Sequence, residues 1–476
     1  MANSAKGAHS AHQDTAGPRP GLSLARGFVS IMRLAPRQSL SAVNASAGGG
    51  NGLSPPFATP LAYNPPPMPT PDFPSSCDVL VVGAGPAGSA CATALARAGV
   101  DVLLADQHRF PRDKVCGDGL IPDAHAALRR LGVYDEVAAL AQAVPYVRCV
   151  GPRGGHVDVP GTVSVLPRRV LDDVLVRNAQ RAGARLLTPL RLEAPLLEGP
   201  RVAGASFKTE TGASHQIAAR WVVLATGAVP QAMTAASLCE RHTPSGVALR
   251  AYVRHEGLAQ RIRELQVVWH PRLRGGYGWI FPGPGGVFNI GAGLTGSHIQ
   301  RGNGKGHMQD VNLRSFFDAF CEVYAPAAEL MREGVPQGAF KGAPLRCSLR
   351  GAQFSRPGML AVGEAIGSTY AFSGEGIGKA METGLLAAEA LLAHRSADDE
   401  ALARQAYATA LAGLQPRFDL YEKASRVNLH PWITDLVIWR AHRSPSIMRR
   451  MSGMLEETSN PGHLFSWRGA TRLLFE

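Results

Sequence analysis

The sequence predicts an α/β protein: a dinucleotide-binding domain interrupted by a second, β-rich domain and followed by a helical tail. Three observations carry that expectation. A glycine-rich β-α-β unit occupies Cys77–Asp106. Mixed β patterns fill the stretch from about 243 to 347, between strand-like runs at Trp221–Ala225 and Met359–Gly363. From Asp398 onward the pattern is mostly helical, with no glycine-rich phosphate loop.

Composition sets the bounds. A chain of 476 residues exceeds one ordinary core, so more than one domain is expected. Hydrophobic content of 45% and charged content of 18% describe a globular protein. No run of about 18 apolar residues is present, which argues against a membrane span. The net charge of +12 comes without a basic stripe interleaved with aromatics, so nucleic acid is not an expected partner. The seven cysteines, Cys77, Cys91, Cys116, Cys149, Cys239, Cys321 and Cys347, form no C-x-x-C pair or zinc spacing. The histidines do not cluster either. Free thiols in a reducing, cytoplasmic compartment are expected, and a metal is not.

Residues 1–74 are rich in Ala, Ser, Gly and Pro, with Asp14 the only acid before Asp72. Such a stretch cannot bury enough apolar surface to offset its ordering entropy, so a disordered tail is expected. Arg26–Val43 resembles an organellar transit peptide, and a non-native tail or overextended start is the preferred reading.

In the β-α-β unit, Val79–Val82 enters a turn carrying Gly83, Gly85 and Gly88 in G-x-G-x-x-G positions. Gly83 makes the tight turn, Gly85 lets the backbone approach a pyrophosphate, and Gly88 lets the helix pack on the strand. Ala87 lies within the same turn. The helix start offers free N–H groups to phosphate oxygens. Asp106, at the end of the second strand, is placed to accept ribose hydroxyls. A loop dense in charge and glycine follows, HRFPRDKVCGDGL. Leu166–Ala182 reads as an amphipathic helix capped by Gly183. Val247–Arg254 and Leu265–Trp269 alternate like antiparallel strands, and Tyr277–Phe281 with Val287–Ala292 reads as a hairpin. Asp310–Arg332 is expected to be helical, and Ile377–Leu392 forms an Ala-rich helix.

Four stretches, in order, carry a resemblance. They are GAGPAG at 83–88, FPRDKVCGDGL at 110–120, GYGWIFPGPGGVFNIGAG at 276–293, and VGEAIGSTYAFSGEGIGKAMETG at 362–384. Together they resemble the geranylgeranyl reductase superfamily of FAD-dependent oxidoreductases, within the fold shared with flavin hydroxylases and halogenases. The resemblance covers most of residues 77–392 and implies a three-layer, Rossmann-like FAD domain with an inserted antiparallel substrate sheet. FAD segments are then expected at 75–142, 166–240 and 351–395, substrate-domain segments at 143–165 and 241–350, and a helical region at 396–476.

The resemblance also implies site residues. Gly363-Glu364 stands where the family has Gly-Asp for a ribityl contact. Gly374, Gly376 and Ile377 open a helix whose N–H groups would face the flavin pyrimidine edge. Ala371 replaces the family's proline before that turn. Arg168 matches a flavin-contacting arginine. Lys114, Cys116 and the residues after it resemble K-x-C-G-G-G, with Asp118 in place of a glycine. Cys116 is the candidate catalytic residue, although a small buried cysteine in a tight loop fits the same position. Tyr277, Trp279 and Phe281 share a strand face that lines the substrate cavity in the family, while a core stripe is the competing reading. A lysine often follows the Tyr-x-Trp-x-Phe-Pro strand, and Gly283 replaces it here.

The activity implied is reduction of carbon–carbon double bonds in an apolar, prenyl-type small molecule by hydride from reduced flavin. Electrons would come from NAD(P)H or a reduced protein donor, since no second βαβ fingerprint is present. The alternatives are an FAD-dependent monooxygenase, a halogenase, or a flavin- or lipid-binding protein without turnover. Thr226 replaces the acid of the hydroxylases' Asp-Gly pair, and only one of the two halogenase tryptophans is present. In the tail, Trp432, Leu436 and Trp439 fall at helical spacing, followed by Arg440, Arg443, Arg449 and Arg450. A helix packing its aromatic face on the core is expected, with peripheral contact to an anionic membrane surface as the alternative. Pro445 should end that helix before the last arginines.

Overall fold

The computed structural model describes residues 73–239, 245–295 and 312–456. Residues 1–72 of the expected tail, including Arg26–Val43, lie outside the described residues, as do the first two positions of the helix expected from Asp310.

The first sheet is built around Ser76–Val82, whose Val79–Val82 are buried on both faces, the signature of a central parallel strand. On one side it pairs in parallel with Val102–Ala105 and then Arg185–Leu187. On the other it pairs with Ser214–Leu224, which pairs in turn with Met359–Ala361. The sheet therefore gathers strands from widely separated stretches of chain. An antiparallel ribbon, Arg191–Glu198 with Arg201–Lys208, continues it from the outer half of Ser214–Leu224. The helices Pro86–Arg97, Arg168–Arg181 and Ile377–Ala393 pack together, and Glu400–Ala424 packs on the last of them. Tyr407, Leu411, Phe418 and Tyr421 of that long helix join the same hydrophobic core.

Among the described residues the second sheet has nine strands. Gly276–Pro282 and Val287–Thr295 form the expected hairpin at its centre, flanked by Gly246–Arg254. Two details differ from the sequence expectation. Leu265–Val268 is antiparallel to Gly276–Pro282 but parallel to Gln142–Val150. The helical stretch after 312 is two helices, Leu313–Val323 and Ala325–Glu333, broken at an extended Tyr324. Pro326 forces the break, because in a continuous helix its ring would strike the carbonyl four residues back. Phe317, Phe320 and Leu330 from this pair bury against Ile280, Phe288 and Ile290 of the sheet.

The tail ends in Trp432–Ala441 and Pro445–Leu455, the chain turning before Pro445 as expected. Val437, Ile438, Ala441 and Ile447 bury against Val157 and Val159 of the strand His156–Val165. Trp432 and Trp439 do not: they are 62% and 48% exposed. This corrects the expectation that the aromatic face packs on the core. Aliphatic residues fill the sheet side, and the seven-residue spacing keeps both indoles together on the other side. Among the described residues, no helix is long and apolar enough to cross a membrane.

Candidate functional site

The glycine turn after Ser76–Val82 is sterically dictated. Gly83 has φ +106°, and a Cβ there would lie 2.4 Å from the Ala225 carbonyl oxygen. A Cβ on Gly88 would lie 1.8 Å from the Gly83 carbonyl oxygen, so the helix can approach the strand only without a side chain. Gly85 faces open space instead. The nearest atoms to its missing Cβ are Nη2 of Arg112 at 3.5 Å and Nη2 of Arg168 at 4.0 Å.

Those two arginines form a cationic wall opposite the helix start. Arg168, buried, donates to both oxygens of Asp172 at 2.6 and 2.9 Å. Arg112 lies 3.2 Å from the same carboxylate and 3.8 Å from Asp106, and its buried Nε has no hydrogen-bond partner. An open glycine backbone, a helix N-terminus and an unsatisfied guanidinium N–H together fit a pyrophosphate. Asp106 lies at the strand end as expected. Its carboxylate accepts from the backbone N–H groups of Ala84 and His108, which fixes the loop around it.

This wall borders a large cavity of about 1130 Å³. Gly83, Gly85, Ala87, Asp106, Lys114, Cys116, Arg168, Glu364, Gly374, Gly376, Ile377, Tyr277, Trp279 and Phe281 all line it. The structure thus brings nearly every residue singled out from the sequence to one surface. Gly88 and Gly363 do not line the cavity. They support its wall: Gly363, at φ +67°, packs on Ala87 and donates its N–H to Thr383. Gly376 caps the helix Ile377–Ala393, whose first turn meets the cavity.

The loop carrying Cys116 is tied to the aromatic strand by a buried hydrogen-bond network. Asn289 accepts from the Trp279 indole at 3.0 Å and donates to the Cys116 carbonyl at 2.7 Å and to Asp118 at 2.8 Å. Asp118, wholly buried and at φ +66°, also accepts from the Tyr252 hydroxyl and from the backbone N–H of Arg168. Burial outweighs these donors and pushes the Asp118 carboxyl up to about 6. Burial likewise pushes the Cys116 thiol up, against the pull of the Arg168 guanidinium and with the push of Asp118. At neutral pH Cys116 is therefore a thiol, which can give a proton but is a poor nucleophile.

Beyond Cys116 the cavity turns apolar. Trp279 and Phe281 face it with Val147, Val159, Leu265, Ile438 and Leu455. The Cys116–Gly117 turn rests on Phe281, whose ring is 3.2 Å from the position of a Gly117 Cβ. Tyr277 donates its hydroxyl to the Ser373 carbonyl, and Phe372 stacks on Trp269 with ring centroids 6.3 Å apart. The aromatic face thus spans from the Gly374 turn to the Cys116 loop.

Sequence reasoning missed Arg112, Asp172, Asn289 and Tyr252, and treated Asp118 only as a departure from a glycine. Arg112 had a local signal, a second cation in the loop that holds Lys114 and Cys116. Elsewhere His255, Glu329 and Glu333 meet in a metal-like cluster. His255 Nδ1 already accepts the Leu258 N–H, and its Nε2 faces Glu333 at 3.9 Å. Glu329 pairs with Arg261. The arrangement is an ion-pair cluster.

Comparison with known proteins agrees with this geometry. Residues 76–260 match a family model described as an FAD binding domain. The chain is 33% identical to a menaquinone reductase of Mycobacterium tuberculosis over 66% of its own length and 76% of that protein's. It is 29% identical to digeranylgeranylglycerophospholipid reductase 1 of Methanopyrus kandleri, over 68% of this chain and 82% of that protein. A geranylgeranyl bacteriochlorophyll reductase-like protein from Thermoplasma acidophilum shares the fold. It has a TM-score of 0.61 at 20% identity, covering 85% of this chain and 97% of that one.

Proposed function

The chain belongs to the geranylgeranyl reductase superfamily of FAD-dependent oxidoreductases, and from that premise we propose that it saturates carbon–carbon double bonds in a prenyl-type chain. The observation that supports this reading best is the apolar arm of the cavity, which starts at Cys116 and is lined by Trp279, Phe281 and aliphatic side chains. The related proteins named above as menaquinone and digeranylgeranylglycerophospholipid reductases suggest the substrate class, a lipid or quinone bearing an isoprenoid chain.

Bound FAD, once reduced, supplies the hydride for one alkene carbon. The protein supplies everything around it. Gly85, Arg112 and Arg168 would hold the pyrophosphate, and the first turn of Ile377–Ala393 would favour the negative charge of the reduced cofactor. Lys114 and Glu364, which also line the cavity, would contribute polar contacts. Trp279 and Phe281 align the prenyl chain and exclude water from it. The Cys116 thiol gives its proton to the second alkene carbon and is reprotonated from water. NAD(P)H or a reduced protein donor restores the two electrons.

The test is anaerobic photoreduction of the FAD-loaded protein followed by addition of geranylgeranyl diphosphate or a prenylated menaquinone. The expected result is reoxidation of the flavin with a product heavier by two hydrogens per bond reduced. A flavin that stays reduced until oxygen is admitted, with oxygen then found in the product, would replace this reading with a hydroxylase.

A further inference from the structure

We propose that the outer face of the C-terminal helix Trp432–Ala441 docks the protein on a phospholipid bilayer bearing anionic headgroups. The helix has two unlike faces. Its inner residues Val437 and Ile438 are buried against the second sheet, and both also line the apolar arm of the cavity. Its outer face presents Trp432 and Trp439, 62% and 48% exposed, with Leu429 of the preceding turn 37% exposed. A folded protein leaves two indoles open to water on one helix face at a cost, and this pairing marks an interaction surface.

Charge selects the partner. Lys423, Arg426, Arg440, Arg443, Arg449 and Arg450 lie on this stretch, against Asp435 and Glu456. Both acids are turned inward. Asp435 accepts from the Arg153 backbone N–H, and Glu456 accepts from the Thr162 backbone N–H, both on the sheet side. The exposed Lys423, Arg426, Arg443 and Arg449 leave the outer surface cationic. The guanidinium of Arg443 sits over the Trp439 ring at 4.7 Å, and that of Arg440 at 5.6 Å. Indoles at headgroup depth beside arginines that meet phosphates are the combination that holds a helix in a bilayer interface. An acidic protein partner would satisfy the arginines but gives no reason for two large, flat apolar side chains at this exposure. If the reductase reading holds, a bilayer-borne prenyl chain would meet the cavity beside its own membrane. The docking surface does not depend on that reading.

The test uses the full chain with FAD bound and vesicles of phosphatidylcholine, alone or mixed with phosphatidylglycerol. The protein should co-sediment with the mixed vesicles, bind the neutral ones weakly, and be released by added salt. The double changes Trp432→Ser with Trp439→Ser, and Arg443→Gln with Arg449→Gln, should each lower the partition coefficient at least about tenfold. Flavin content and the unfolding midpoint, measured alongside, should stay at the wild-type values. Brominated lipids should quench tryptophan fluorescence in the wild type and less in the tryptophan double variant. Failure to bind anionic vesicles would overturn the proposal. So would binding that both double variants retain, which would place the contact elsewhere. A wild-type dimer that dissociates in the tryptophan variant would assign the face to a second copy instead.

Discussion

Replacing Asp118 with asparagine tests the electrostatics at the centre of the site. The carboxylate is wholly buried and is held by Tyr252, Asn289 and the Arg168 N–H. Its pKa stands at about 6 in the folded protein against an ordinary 3.8. That difference corresponds to about 3 kcal/mol. Because the folded value is the higher one, the protonated acid favours folding. The associated stability is complete below about pH 4 and is lost as pH rises through about 6. Asparagine does not titrate, so it removes this dependence. The amide also offers one acceptor where the carboxylate offered two, leaving one donor opposed at a cost of about 1–3 kcal/mol. That second effect is independent of pH. Urea unfolding of the FAD-loaded proteins between pH 4 and 7 separates the two. The stability difference, wild type minus variant, should shrink by about 2.4 kcal/mol across that range. A difference that stays constant would refute the reasoning, since it would mean that the three donors hold the carboxylate ionised throughout.

Four further outcomes are expected. Gly88→Ala places a methyl group 1.8 Å from the Gly83 carbonyl oxygen and should abolish FAD retention, read from the flavin absorbance of the purified protein. Arg112→Met removes the guanidinium whose Nε has no hydrogen-bond partner, and should weaken FAD binding by about tenfold or more in a fluorescence titration. Burial holds the Cys116 proton, so iodoacetamide should alkylate it slowly at neutral pH, at a rate still climbing above pH 9. Cys116→Ala should slow substrate-driven flavin reoxidation by about a hundredfold or more while leaving flavin reduction by the donor unchanged.

The parts of this protein legible in the sequence are those set by short-range chemistry. Gly83 and Gly88 announced a turn because each answers a local steric demand. Tyr277, Trp279 and Phe281 announced a shared face because alternation in a strand is a local fact. The parallel pairing of Leu265–Val268 with Gln142–Val150 was not legible, since alternation shows which side chains share a face and not which neighbour the strand chooses. The same limit hid the environment of Asp118. Its burial is created by Tyr252 and Asn289, which arrive from two strands of the second sheet. It also reversed the fate of Trp432 and Trp439. Their spacing showed that they lie together, but only the packing of Val437 and Ile438 decided which side of the helix meets the sheet.

The order of strands in the first sheet has a consequence for how the protein is made. Ser76–Val82 leaves the ribosome early, yet one of its two neighbours is Ser214–Leu224, and the strand beyond that is Met359–Ala361. At about 5–20 residues per second, on the order of tens of seconds pass between synthesis of the first strand and arrival of the last. During that interval the nascent chain carries an apolar parallel strand with an unpaired edge, a hazard for aggregation. Gly363 and the helix Ile377–Ala393, which complete the wall of the cavity, emerge later still. The flavin therefore has no complete site to enter until the helix Ile377–Ala393 has been made.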